Sequence, residues 1–412
     1  MPGRGRLPGT DRRPEQVVCH VDMDCFYAAC ERLREPELRG EPLVVGMGYE
    51  AGDDAGAVAT ASYEAREFGI ESAMAISEAL ELLPRREETD PEIGDSEDTG
   101  YYRPVDMSYY ESIAEDVKAI LHDSADVVRE VSIDEAYLDV TDRTGWDGVE
   151  EFACDLKRRI EVDVGVVASV GVAPTMSAAK IASDADKPDG LVVIEPGDVR
   201  EFLGPMDVEA VHNVGPVTAR ELQEMGIETA GELAESDPDR LADHFGERGR
   251  EIYRFARGED TRSVTPRADP KSFSRESAFP DTIDDHDRVR ERVQALADTV
   301  AERAAREGAL YQTVGIKVVT PPYDVNTRAR SLSGPVDDPE LVEAIALDLL
   351  TEFETARVRK VGVRVSKLSF TEREQVSLDG FVGTDDRVQG SDRRHGDKST
   401  DASGQLTLSD FC

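Results

Sequence analysis

Apolar positions in this chain recur at spacings of two and of three-to-four, and the switches between them outline the fold. Val17 to Met23 is an almost unbroken apolar run and reads as a strand; Phe26 to Leu33 reads as a helix that stops at Pro36. Pro42 to Gly46 predicts a short strand, and Gly48 to Gly56 an acidic, Gly-rich turn. Met107, Tyr110, Ile113, Val117 and Leu121 fall on one helical face. Val127–Val131 and Tyr137–Val140 are short apolar runs around a polar turn, which predicts a hairpin. A helix through Val149, Phe152, Ala153, Leu156 and Ile160 follows, then a strand over Val164–Val172. Residues 17–172 therefore spell βαββαβ with one large insertion after the first strand, a ferredoxin-like order in which that strand and the hairpin can be central neighbours.

Thr175 to Asp184 predicts a helix carrying Lys180, and Lys187 to Gly190 a turn. Short helices run from Pro205 to Gly258, and Val211–Leu222 has the form of a helix-hairpin-helix turning near Gly215, with Asn213 where the motif usually has its first glycine. Main-chain N–H groups at such a turn bind phosphate without reading sequence. Asp260 to Pro270 is polar and reads as a linker. Residues 271–370 then repeat the βαββαβ order: strands over Lys271–Phe279, Thr313–Thr320, Thr327–Leu332 and Val361–Phe370, with helices marked by Val289–Val300 and Leu341–Phe353. Lys271, Arg275, Lys317, Arg328, Arg330, Lys360, Arg364 and Lys367 lie mostly on these strands and predict one basic sheet face.

Composition adjusts this outline. Acids outnumber bases 87 to 48, a formal charge of −39, and only nine of the bases are lysine. Such a surface suits high salt, where self-repulsion is screened. Local basic patches keep nucleic acid open as a partner despite the total. The five cysteines form no C-x-x-C pair, which predicts a reduced, cytoplasmic protein without a zinc site. No run of 18 apolar residues predicts a membrane span. Residues 1–16 and those beyond Thr371 are polar and Gly-rich tails, and Pro84–Gly100 is an acidic loop. Gln405, Leu408 and Phe411 near the end are spaced for one helical turn filling a partner's pocket.

The candidate chemistry sits at strand ends. Asp22 and Asp24 are two apart and predict one strand face; Asp134 and Glu135 are adjacent in the hairpin turn. Acids gathered this way repel unless a cation lies between them. A hard ion such as Mg²⁺ suits oxygen ligands, and two ions roughly 3.5–4 Å apart can activate a hydroxyl and stabilise a leaving oxygen. Two plainer readings compete: Asp22 as a helix-start carboxylate, and Ser132-x-x-Glu135 as a capping box. Thr60, Tyr63 and Arg66 are three apart and would share a helix face suited to a triphosphate, with Lys187 as a further cation; a solvated face and a turn lysine are the alternatives.

With these pieces placed, the chain resembles a Y-family DNA polymerase of the DinB, or DNA polymerase IV, type from a halophilic, archaeal source. The resemblance runs from about Val17 to Phe370 and rests on VDMDCFYAACE, AVATASYEAR, SIDEAYLD, AAKIASDADKPDG and VGVRVSKL. It implies an α+β, right-hand architecture: palm over 17–33 and 101–190, fingers and acidic loop over 34–100, thumb over 191–259, linker 260–270, and a little finger over 271–371. It implies Asp22, Asp134 and Glu135 as catalytic ligands of two Mg²⁺ ions, with the Met23 carbonyl as a further oxygen. Tyr27 becomes the steric gate against ribose. Phe26, Tyr27, Thr60, Tyr63, Arg66 and Lys187 take the nucleotide; Gly215, Lys271, Arg275, Arg328, Arg330 and Arg364 take DNA. The implied partners of this monomer are primer–template DNA, deoxynucleoside triphosphates and a sliding clamp held by Gln405, Leu408 and Phe411. The implied activity is low-fidelity, template-directed translesion synthesis in DNA repair. A nucleotide cyclase shares the core and the acids but would not need the helical or second sheet domains; a clamp-bound scaffold would not need all three acids.

Overall fold

The computed structural model describes residues 16–86 and 99–370, in two compact units divided between Arg267 and Ala268. The acidic residues 87–98 and the clamp-binding candidates Gln405, Leu408 and Phe411 lie outside the described residues.

The first unit contains strands β1 (Val18–Met23), β2 (Leu43–Met47), β3 (Ala57–Ala61), β4 (Tyr101–Pro104), β5 (Val127–Glu130), β6 (Glu135–Asp139), β7 (Ala168–Ala173) and β8 (Leu191–Val193). Its helices begin with α1 (Phe26–Arg34), α2 (Tyr63–Arg66), α3 (Ile76–Leu82), α4 (Met107–Ser124), α5 (Gly145–Asp163) and α6 (Met176–Ala185). The main sheet has the order β5-β6-β1-β7-β8, with β1 antiparallel to both β6 and β7. The ferredoxin-like neighbours predicted from the apolar pattern are thus in place.

β1 is covered on both faces, which is why it reads as an apolar run broken only by His20 and Asp22. Cys19, Val21 and Met23 pack with Tyr110, Val117, Leu156 and Ile160 of α4 and α5. Val18 packs on the other side with Ala178, Ala179 and Ala182 of α6. That helix lies directly on β7: a Cβ at Gly171 would stand 2.1 Å from the Ala179 oxygen and 2.2 Å from the Ser183 nitrogen. β7 starts at Ala168 rather than Val164, because Val164 caps α5 and Gly165 turns the chain at φ +87°.

β2, β3 and β4 form a separate sheet, β3-β2-β4, over a small core of Val44, Val58, Ile70, Ile76 and Leu83. Residues 101–104 therefore belong with the segment assigned to the fingers, not with the palm. Five further helices, α7 (Val199–Leu203), α8 (Pro216–Glu224), α9 (Ala230–Glu235), α10 (Pro238–Phe245) and α11 (Glu247–Ala256), enclose Leu222, Leu233, Leu241, Ile252 and Phe255. The predicted helix-hairpin-helix keeps its second helix, α8, but is entered from a single 3₁₀ turn, Val208–Ala210. Asn213 takes the left-handed conformation there (φ +69°), which Asn tolerates better than most residues.

The start of the predicted linker is not loose. The Asp260 side chain is 1% exposed and accepts hydrogen bonds from the Ser177 N–H (3.1 Å) and the Arg262 guanidinium (2.7 Å); Val264 is also buried. A carboxylate on the first turn of α6 satisfies helix N–H groups that otherwise lack partners.

The second unit runs β9 (Ser272–Ile283), α12 (His286–Arg306), β10 (Ala309–Thr320), β11 (Asp324–Val336), α13 (Pro339–Leu350), β12 (Val358–Ser366) and β13 (Ser369–Phe370). The element order repeats the first unit, but the sheet order is β11-β10-β12-β9, so the first strand is at an edge rather than central. The long β10–β11 hairpin occupies one side of β10 and β12 the other, leaving β9 to pair outside β12.

This register divides the expected basic face. Arg330 pairs with Val314, Arg328 with Ile316, and Arg275 with Val363, whose side chains join the helix-covered core. Directly paired residues share a face. Arg330 accordingly meets Asp348 of α13, and Arg328 lies 2.6 Å from Glu352. The opposite face carries Lys317, Lys360 and Arg364, with Glu276 between the two lysines. At one end, Lys271, Arg364, Lys367, Thr313 and Ser331 line a concavity of about 730 Å³.

Candidate active site

The end of β1 places Asp22 on the same face as His20, toward α6, and in register with Glu135 of β6. The hairpin turn is locked onto β1 by the Met23 N–H, which donates to the Asp134 oxygen at 2.9 Å. Met23 and Asp134, 111 positions apart in sequence, are thus held side by side by main-chain pairing. Ser132 caps no helix; its hydroxyl donates to the Asp134 carboxylate at 2.6 Å inside the turn.

Two lysines meet these acids. Lys180 of α6 donates to Glu135 at 2.7 Å and lies 3.9 Å from Asp22. Lys187, from the turn after α6, lies 2.7 Å from Asp22 and 2.8 Å from Asp184. Beneath them His20, fully buried, places Nε2 3.3 Å from Glu135 and Nδ1 2.8 Å from the Ser183 hydroxyl. The neighbouring His20 ring and the Lys180 ammonium hold the Glu135 carboxyl down at about 2, against the upward push of burial. Burial pushes the Asp22 carboxyl up despite Lys187. Burial pulls both lysines down, but the carboxylates more than offset it and both end above the ordinary value. His20 is lowered by burial.

The three acids do not form a ready-made cage. Among the described residues no set of three His, Cys, Asp or Glu side chains is gathered closely enough to hold a metal ion. Each carboxylate instead has its own partner: Lys187 for Asp22, Ser132 for Asp134, Lys180 and His20 for Glu135. This still fits Mg²⁺, which is usually held by one or two carboxylates together with substrate phosphates. The donor set is all oxygen, and the two ammonium groups lie where positive charge is needed.

Several expected neighbours are placed differently. β1 ends at Met23, and Cys25 takes φ +46°, so Asp24 is in a turn and strand alternation does not reach it. Phe26 is 2% exposed, packed in the core, so its side chain is unavailable to a nucleotide. Thr60 lies on β3 and α2 begins only at Tyr63, capped by Ser62, so Thr60, Tyr63 and Arg66 do not share a helix face. Tyr63 and Arg66 do meet, the guanidinium 4.8 Å over the ring. Met23 buries its side chain, leaving only its main-chain oxygen as a candidate ligand.

Tyr27 borders the same site. Burial, then the charge of Asp134, raises its phenol. Its ring stacks on Tyr110 (4.7 Å between centroids, 18° between planes), whose hydroxyl donates to the buried Glu31 at 2.6 Å. Lys180, His20, Tyr110 and Glu31 were not singled out by sequence reasoning as parts of the site. His20 carried a signal: a polar residue in a central apolar strand, two before Asp22.

Comparisons with known proteins show which family and fold the chain shares. The impB/mucB/samB family profile matches residues 21–184, its C-terminal domain 270–379, and its HHH motif 196–227. The chain is 63% identical over 383 residues to a DNA polymerase IV of Halobacterium salinarum, covering 93% of this chain and 92% of the relative. It resembles a solved Dbh–Dpo4 chimera of Y-family DNA polymerases with TM-score 0.73 and 27% identity, and an insertion ternary complex of Dbh DNA polymerase with TM-score 0.61 and 26% identity. Each superposition covers 86% of this chain and all of the other.

Proposed function

This chain belongs to the impB/mucB/samB family as a Y-family DNA polymerase of the polymerase IV (DinB) type, and from that premise we propose how its own residues add a nucleotide. It is a DNA-directed DNA polymerase of the translesion class, binding DNA and deoxynucleoside triphosphates. Polymerases of this family depend on divalent metal. Here Asp22, Asp134 and Glu135, with the Met23 main-chain oxygen, are the groups to hold two Mg²⁺ ions. When bound, such ions activate the primer 3′-hydroxyl and stabilise the pyrophosphate that leaves.

The remaining steps belong to side chains. Lys187 neutralises Asp22 at 2.7 Å until an incoming triphosphate offers it phosphate oxygens. Moving to the triphosphate frees the Asp22 carboxylate as a ligand. Lys180 and His20 keep Glu135 ionised and aimed at the site. Arg66, exposed and braced on Tyr63, grips the same triphosphate, with Thr60 at the rim. Tyr27 stands against the sugar and excludes a 2′-hydroxyl. Lys271 and Arg364 on the second unit, and the N–H groups about Gly215, contact the DNA backbone.

Among the described residues the fingers sheet has three short strands, which supports an open site with little checking of base-pair shape, hence low-fidelity copying. The free thiols Cys19, Cys25, Cys30 and Cys154 suit a reducing, cytoplasmic setting. Among the described residues no helix is long and apolar enough to cross a membrane. The C-terminal Gln405, Leu408 and Phe411 would tether this monomer to a sliding clamp.

The observation that carries the catalytic reading is the cross-strand pairing of Asp22 with Glu135 beside the Asp134 turn. Primer extension with Asp134→Ala tests it. The expected result is no nucleotide addition with DNA affinity retained. Parallel loss of DNA binding would mark the acid as structural instead.

A further inference from the structure

Asp24 is 6% exposed, and both its oxygens are occupied. The Ser169 hydroxyl donates to it at 2.9 Å, the Asp189 N–H at 2.8 Å and the Tyr63 hydroxyl at 3.2 Å. These donors come from β7, from the Lys187–Gly190 turn and from α2. An ionised carboxylate accepts about four hydrogen bonds, so one side chain can tie three segments at once. Burying it is costly unless every acceptor site is used.

The turn is braced a second time from the same place. Ser169 Oγ accepts the Gly190 N–H at 3.1 Å, and Lys157 of α5 donates to the Gly190 oxygen at 3.0 Å. Lys187 leads into this turn two residues before Asp189. Tyr63, held by Asp24, in turn carries the Arg66 guanidinium over its ring. The groups assigned to the triphosphate, Lys187, Tyr63 and Arg66, therefore all trace back to one buried acid that faces no substrate.

We propose that Asp24 is a positioning residue for the nucleotide site: it sets the Lys187 turn and the Tyr63–Arg66 pair at the spacing a triphosphate requires. The proposal rests on the reading of Lys187 as a triphosphate ligand. Its removal loosens the grip on the nucleotide while leaving the acids on β1 and β6, and the DNA-binding surfaces, as they are.

Single-nucleotide insertion by the full chain tests this, with KM for the deoxynucleotide, kcat and DNA affinity read separately. Asp24→Ala is expected to raise KM roughly tenfold or more, kcat falling much less and DNA affinity unchanged. Asp24→Asn is expected to restore most of the affinity. Its Oδ1 still accepts from the Asp189 N–H, and the Tyr63 and Ser169 hydroxyls can turn to accept from the amide. Should Asp24→Ala fail to fold, Ser169→Ala takes its place, with the same rise in KM expected. Lys187→Ala is the control. If it raises KM while Asp24→Ala or its substitute does not, the positioning role is wrong. If Asp24→Asn is as impaired as Asp24→Ala, charge and not geometry is responsible, and the proposal is likewise overturned. If Lys187→Ala leaves KM unchanged, the triphosphate reading itself falls, and the positioning role with it.

Discussion

The stack of Tyr27 on Tyr110 gives a separable prediction for sugar selection. Tyr110 is fully buried, its ring 4.7 Å from that of Tyr27, and its hydroxyl meets Glu31, which is 2% exposed. Tyr110→Phe keeps the ring and removes the donor. A hydrogen bond to a buried carboxylate is worth about 1.5–3 kcal/mol, so stability should fall by that amount, roughly 3–12 °C in Tm for a unit of this size. Sugar discrimination should hardly change, because the stack survives. Tyr110→Leu removes the aromatic face as well. An aromatic pair is worth about 0.5–1.5 kcal/mol beyond its area, or roughly twofold to twelvefold at about 1.4 kcal/mol per factor of ten. Discrimination between a deoxynucleotide and its ribonucleotide, measured as the ratio of kcat/KM in single-nucleotide insertion, should drop by that factor. Tyr27→Ala sets the upper limit of the loss. The reasoning fails if Phe relaxes discrimination as much as Leu, or if Leu leaves it untouched.

Two further outcomes follow from the packing and the register. Gly171→Ala puts a methyl into the backbone of α6, which cannot yield as a side chain would, so the helix must lift and carry Lys180 away from Glu135; a lower Tm and a reduced kcat are expected, and a fully active, equally stable variant would refute the close approach. Arg364→Ala should weaken DNA binding and lower the slope of log K against log salt by about 1, whereas Arg330→Ala, whose guanidinium faces Asp348, should leave the slope unchanged; equal slopes for the two variants would restore a single basic face.

Much of this was legible in the chain because periodicity reports which face of an element is buried. β1, the β5–β6 hairpin, α4 and α5 follow their apolar spacing closely, and βαββαβ order implied that Asp22 and Glu135 could be neighbours. Pairing in the second unit was not legible: the same order of elements supports a sheet with β9 central or at its edge, and only the long β10–β11 hairpin decides. Arg328, Arg330 and Arg275 were misplaced for the same reason, since a strand residue's face depends on its partner's register. β4 and β8, of four and three residues, are too short to show a period. Asp24 illustrates a further limit. Spacing by two put it with Asp22, but the strand stops one residue earlier, and a tight turn gave it a different set of partners.

The claim on which the rest depends is that the carboxylates of Asp22, Asp134 and Glu135 close on a pair of divalent ions when primer, template and nucleotide are bound. Anomalous diffraction from the full chain crystallised with primer–template, a non-hydrolysable deoxynucleotide and Mn²⁺ tests it most directly. Two anomalous peaks bounded by these three side chains are expected, with Lys187 withdrawn from Asp22 to the triphosphate. A substrate-filled site in which Lys187 and Lys180 still hold the acids, with no peak between them, would contradict it.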